Sequence, residues 1–350
     1  MATILPGVSF KTVPPELLQF VLPEITSSFL ETKSVKQPTL DDYRIRATTF
    51  CQWCLTSLVL WASDEELDLA LVLFMDKLYF EGNGADAGSK LVAALKFFIP
   101  RFNRVGGGAL PRTVRCLVSW GKLRPGHQRL PFPWIALMAV VGLLSSRGLV
   151  WEAFYLLVAF RTYIRPGVFA QMKVKQLISP ATAGLLLLSR WTFNLYPVED
   201  LMTGKTGLFD ESLVWDAEEW AATMFAALVL NRNPEELLWQ FDHAVMVLLF
   251  RNACRELGLA SLHACLYSLR HGGASHDLNL KLRSVEEVKR RGHWRSDSSL
   301  RRYGKEGKIS AELNKIQQNV KDYGQLVSLH LEAIFIHNVQ FKSPQLNVLL

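Results

Sequence analysis

The chain has 350 residues, 49% of them hydrophobic, with 39 Lys and Arg against 32 Asp and Glu; this supplies apolar side chains for two cores, excludes a disordered chain, and suits a polyanionic partner. Five cysteines in no regular framework exclude a disulfide-stapled secreted scaffold and favour a reducing, intracellular setting. The longest strongly apolar run, 131–144, is shorter than the ~20 residues of a membrane-spanning helix, and no basic-then-apolar leader opens the chain, so no membrane partner is expected.

In chain order, residues 1–37 are proline-rich without sustained periodicity and read as an arm. From Thr39, with Asp42 three positions on, apolar residues recur at helical spacing through Tyr43, Ala47, Phe50 and Cys54. Cys51 and Cys54 form a C-x-x-C pair, but no second pair lies at zinc-finger spacing, so buried helix cysteines are expected and no metal site. Ser63 and Glu66 form a capping-box pair before a second helix, and a third is expected over 86–98. Residues 38–122 therefore read as a small helical domain, followed by a basic linker at 123–129.

Beyond the linker, helices are expected over 133–144 and 150–163, the second stopped by Pro166-Gly167. Short apolar runs at 175–178, 184–188 and 212–215 suggest strands of a small antiparallel sheet. Helices dominate again to about residue 310, and 309–336 reads as one long helix within a C-terminal segment, 311–350. The expected fold class is mainly α with a small antiparallel β-sheet.

The chemistry-bearing residues gather late in the chain. Tyr267-Ser268-Leu269-Arg270-His271-Gly272-Gly273 is followed by Arg291-Gly292-His293-Trp294 and then Leu300-Arg301-Arg302-Tyr303, with 23 positions from Arg270 to His293 and 10 from His293 to Tyr303. Upstream, Arg161-Thr162-Tyr163-Ile164-Arg165-Pro166-Gly167 carries a further arginine before a Pro-Gly turn. Between Arg270 and Lys308, basic residues outnumber acidic ones, concentrating positive charge in one segment.

This constellation resembles the tyrosine recombinase (phage integrase) family, in which an H-x-x-R box, a G-H or Trp step and a tyrosine share one active site. The resemblance implies a helical, SAM-like core-binding domain at 38–122 and a catalytic domain at 130–310. It implies site-specific cutting and rejoining of double-stranded DNA through a covalent 3′-phosphotyrosine, with self-association on DNA and no cofactor, nucleotide or metal. It further implies residence with DNA inside the cell, in the nucleus if the source is eukaryotic, and an origin in a mobile element.

Residue by residue, the resemblance gives Tyr303 as nucleophile, Arg165 and Arg270 as phosphate-binding cations, Lys205 as proton donor, Tyr267 at the first box position, and His293 or Trp294 as donor to a nonbridging oxygen. Lys173 and Lys175 rival Lys205 for the lysine role. Arg124, His271, Lys289, Arg290, Arg291, Arg295, Arg301 and Arg302 are expected to face DNA. Arginines suit this chemistry because a phosphodiester gains negative charge in its five-coordinate transition state and a guanidinium offers a permanently charged planar fork. A lysine with a lowered pKa can protonate the leaving hydroxyl.

Two positions depart from the family pattern. Tyr267 stands where histidine is usual, and Val168 stands three residues after Arg165, where an acid is common. Tyrosine is a poor proton acceptor at neutral pH, so a noncatalytic DNA-binding protein of the same fold is the alternative reading.

Overall fold

A computed structural model of the chain describes residues 28–126, 130–180, 190–200, 209–294 and 306–344. Two compact units are present, Met1–Gln128 and Arg129–Leu350. Among the described residues the architecture is mainly helical with a small three-stranded antiparallel sheet, as the sequence predicts.

In the first unit, α1 (Phe29–Lys33) carries a Ser28/Glu31 capping box inside the segment expected to be an arm. The next helix, α2 (Gln37–Thr56), starts before Thr39, with Lys36 at the N-cap and Pro38 in the first turn, where the missing N–H costs nothing. Then follow α3 (Asp64–Phe80), α4 (Ala85–Phe98) and α5 (Pro111–Leu123). Ser63 caps α3 as expected, its Oγ accepting the Glu66 N–H at 3.2 Å, while the Glu66 carboxylate reaches back to the Ala62 N–H at 2.6 Å.

Phe50, Trp61, Leu67, Leu71, Phe74, Leu91 and Leu95 fill the core of this unit. Cys51 and Cys54 are buried with them, and burial pushes both thiols up, the former to about 12, so both stay protonated and inert. Asp68, buried on α3, accepts the Arg112 and Thr113 N–H groups at 2.8 Å each. Leu110 has no side-chain oxygen to cap α5, and Asp68 supplies that cap from another helix.

In the second unit, α6 (Trp134–Ser145) and α7 (Val150–Thr162) are apolar on nearly every face because both are enclosed. No helix among the described residues is long and apolar enough to cross a membrane. After the single turn α8 (Pro166–Phe169) comes the sheet, β1 (Leu177–Ile178), β2 (Thr192–Leu195) and β3 (Glu211–Val214), in the order β1-β2-β3. The middle strand is thus 192–195, whereas the run at 184–188 lies outside the described residues. Next come α9 (Ala221–Val229), α10 (His243–Glu256), α11 (Leu266–Asn279) and α12 (Val285–Arg291).

The expected long C-terminal helix is instead three: α13 (Glu306–Asn314), α14 (Gln318–Leu329) and α15 (Leu331–His337). Burial of Ile316, Val320, Tyr323, Val327, Ile334 and Phe335 against the core bends the segment at positions carrying no Pro or Gly. Tight backbone approach locks α11 onto α7, because a Cβ at Gly273 would strike the Phe160 carbonyl and come within 2.7 Å of the Tyr163 ring. Gly273→Ala should therefore lower stability by about 3 kcal/mol through overpacking. Gly167→Ala, where a Cβ meets nothing within 4 Å, should change it by less than ~0.5 kcal/mol. Thermal melting of the two variants beside the parent chain measures both.

Candidate active site

The site grows from two chain reversals and one helix. At the end of α7, Arg165 precedes Pro166 and is barred from helical geometry, so the helix closes with Tyr163 in the left-handed region at φ 55°. Arg165 then adopts an extended conformation and caps α8, its half-buried side chain approaching the Tyr196 hydroxyl at 3.5 Å. At the end of α12, Gly292 closes the helix and His293 takes the left-handed conformation at φ 50°.

Arg270, on α11, joins these reversals. Its side chain is buried at 2% exposure, and its guanidinium donates to the Tyr163 carbonyl from one amino group and to the Gly292 carbonyl from the other. The Trp294 ring lies under it at 4.4 Å, and the Tyr163 ring stacks with Trp294 at 6.2 Å between centroids. Trp294 therefore packs between an arginine and a tyrosine.

His293 points elsewhere. Its Nδ1 lies 3.1 Å from Glu211 Oε1 on β3. Burial holds its pKa below the ordinary histidine value; Glu211 opposes this, and the positive charges of Arg270 and Arg165 add to it. Arg165, Arg270 and His293, from three separate parts of the chain, thus share one electrostatic environment. Tyr267 sits one turn before His271 on α11, the rings 5.0 Å apart edge to face. Lys205, Arg295, Arg301, Arg302 and Tyr303 lie outside the described residues.

Lys173 and Lys175 are tied to Asp200 and Glu235. Hydrogen bonds donated to these carboxylates raise both lysine pKa values, led by the bond to Glu235 for Lys173 and to Asp200 for Lys175. That is the opposite of what a proton donor to a leaving group needs.

Arg291 departs from the expectation of a DNA-facing cation. Its guanidinium is turned inward, donating to the Arg161 carbonyl at 3.0 Å and the Val214 carbonyl at 3.1 Å, and pairing with Asp216 at 3.0 Å. Arg124 donates to the Asn83 carbonyl at 2.9 Å and lies over the Tyr79 ring at 4.8 Å, so it too is engaged within its own unit. Of the neighbouring basic residues, Arg290 is exposed, and Lys289 and His271 are half-buried.

Sequence reasoning missed the acidic partners that hold this cationic cluster. Asp216 accepts a two-pronged bond from Arg283 at 2.7 and 2.8 Å. Asp277, at 5% exposure, accepts from Arg283 Nε at 2.7 Å and from the Tyr163 hydroxyl. Arg161, stacked over Trp134 at 4.2 Å, pairs with Glu218. Glu211 completes the set. None has a local sequence signature, because each has a partner 57 or more positions away along the chain.

Burial also lowers the pKa of His276, which stacks on Trp134 at 5.2 Å, with Arg161 adding to the shift. A histidine whose folded pKa lies below its unfolded value binds fewer protons when folded, so its stabilisation is full above the ordinary value near ~6.5 and is lost as pH falls through the folded value. Urea unfolding should thus show a less stable chain at about pH 5.5 than at about pH 7.5. Combining His276→Gln with His293→Gln should flatten that difference.

No family model and no curated protein matches the chain. Among solved structures it is similar to a crystal structure of XerA recombinase, at 14% identity and a TM-score of 0.35, covering 93% of this chain and 99% of that one. It is also similar to a lambda integrase dimer bound to a COC′ core site, at 14% identity and a TM-score of 0.47, covering 78% of this chain and 90% of that one.

Proposed function

We propose that the protein is a DNA strand transferase of the tyrosine recombinase type, which cuts and rejoins double-stranded DNA through a 3′-phosphotyrosine. The observation that carries this reading is the grouping of Arg165, Arg270 and His293, which lie far apart in sequence in the order and spacing of the family's motifs. In the proposed reaction Tyr303 gives up its hydroxyl proton to a base, the phenolate oxygen attacks phosphorus, the bond to the 5′ oxygen breaks, and Lys205 gives that oxygen its proton. Arg165 and Arg270 meet the charge that develops on the nonbridging oxygens, where preorganised donors act most strongly. Tyr267 contributes a hydroxyl to the same phosphate. Trp294 serves as the platform under Arg270.

Because the phosphotyrosine conserves the phosphoester bond, rejoining needs neither a nucleotide nor a metal. Lys289, Arg290, Arg295, Arg301, Arg302 and His271 would contact DNA, chiefly through phosphates, and the chain would self-associate on its target. The protein would work with DNA inside the cell, in the nucleus of a eukaryote, as a mobile-element product or its descendant. A noncatalytic DNA-binding role is the second reading, favoured by Tyr267 at the first box position and by Val168, which packs against the apolar core where the family often has an acid.

A nicked suicide duplex tests both readings. A covalent protein–DNA adduct should form in the presence of EDTA and vanish in Tyr303→Phe; an adduct that survives that substitution removes Tyr303 from the mechanism. Salt-dependent binding with no adduct establishes the noncatalytic reading, and no binding at low salt excludes both. Arg165→Lys should slow adduct formation roughly a hundredfold, the worth of one transition-state donor, while changing DNA affinity much less.

A further inference from the structure

The pairing of His293 with Glu211 assigns a direction to the histidine. A carboxylate can only accept a hydrogen bond, so the 3.1 Å contact between His293 Nδ1 and Glu211 Oε1 requires the proton on Nδ1. In the neutral ring this leaves a lone pair on Nε2. That nitrogen is buried and has no hydrogen-bond partner among the described residues. The pair is well enclosed, with side-chain exposures of 14% for His293 and 9% for Glu211, so its orientation is not averaged by water.

We infer that Glu211 is a positioning residue that holds His293 in its Nδ1–H form, making Nε2 the proton-accepting atom beside Arg165 and Arg270. The inference deepens the strand-transferase reading and rests on it for its catalytic meaning. It supplies the base missing at Tyr267: an O–H approaching Nε2 gives up its proton, the oxygen keeps the electron pair for attack on phosphorus, and the imidazolium formed is met by the Glu211 carboxylate.

The charged groups acting on His293 come from three elements: Glu211 on β3, Arg270 on α11 and Arg165 at the start of α8. The arginines and burial keep the resting ring neutral, and the carboxylate keeps protonation within reach. Glu211 is itself anchored by strand pairing, with Leu195 opposite it on β2.

Nitrogen-15 NMR of the full chain labelled at its eight histidines, with His293 assigned by its loss in His293→Gln, reads the tautomer directly and needs no DNA. The expected wild-type result is a protonated Nδ1 and an unprotonated Nε2 at neutral pH. Glu211→Gln, whose amide oxygen can still accept, should keep this tautomer while the His293 pKa moves further down, because the charge opposing the arginines is gone. Glu211→Leu should shift the proton toward Nε2.

A wild-type His293 protonated on Nε2 alone overturns the inference, as does an unchanged tautomer in a folded Glu211→Leu. If Glu211→Leu does not fold, an unchanged or raised His293 pKa in Glu211→Gln overturns it equally. Absence of a DNA adduct with the Nδ1–H form present would instead remove the catalytic reading and leave the pairing intact, so the two failures are distinguishable.

Discussion

One buried guanidinium organises the second unit. Arg270 donates hydrogen bonds to two backbone carbonyls, one where α7 ends and one where α12 ends, and thereby sets the distance between two chain reversals. Burying a permanent charge is costly unless it is fully engaged, and here the engagement is with carbonyls that themselves lost helical partners at helix ends. Each side satisfies the other's deficit. Arg165 follows one reversal and His293 forms the other, so the arginine that groups the cluster also fixes where its companions stand.

Around this centre, β3 acts as a strap with a contact at each end. Glu211 at its start holds His293, the Val214 carbonyl at its end holds Arg291, and Asp216 just beyond holds both Arg283 and Arg291. Two of the cations between Arg270 and Lys308, Arg283 and Arg291, are therefore paired with carboxylates inside the fold. The excess basicity of this segment has two parts, one structural and inward, one outward at residues such as Lys281, Arg290 and Lys308.

Elements whose signals are local were legible in the sequence. Ser63 caps its helix, the apolar runs at 134–145 and 150–162 are enclosed helices, and the Arg-Pro-Gly step stops α7. The strand 192–195 was not, because Thr192, Phe193 and Leu195 are all buried rather than alternating with exposed positions, and a more apolar run upstream masks it. The breaks around Ile316 and His330 were hidden for a related reason: the helical period runs through them, and packing alone places the bends. Within the site, the order of the cationic residues was readable because it is a matter of spacing. Their carboxylate partners were not, since Glu211 and His293 meet across 82 positions and nothing in either neighbourhood announces the other.

The late position of α14 and α15 bears on how the chain is made. Gly142 on α6 lies so close to Val327 and Tyr323 that a methyl group would not fit between them, and Ile334 and Phe335 are buried in the same core. A ribosome must therefore have released the chain through Phe335 before α6 and α7 can be fully covered, whereas the core of the first unit is complete once Trp120 has emerged. At about 5–20 residues per second, this leaves two apolar helices uncovered for roughly ten seconds or more, an interval in which the nascent chain exposes surface that later becomes core.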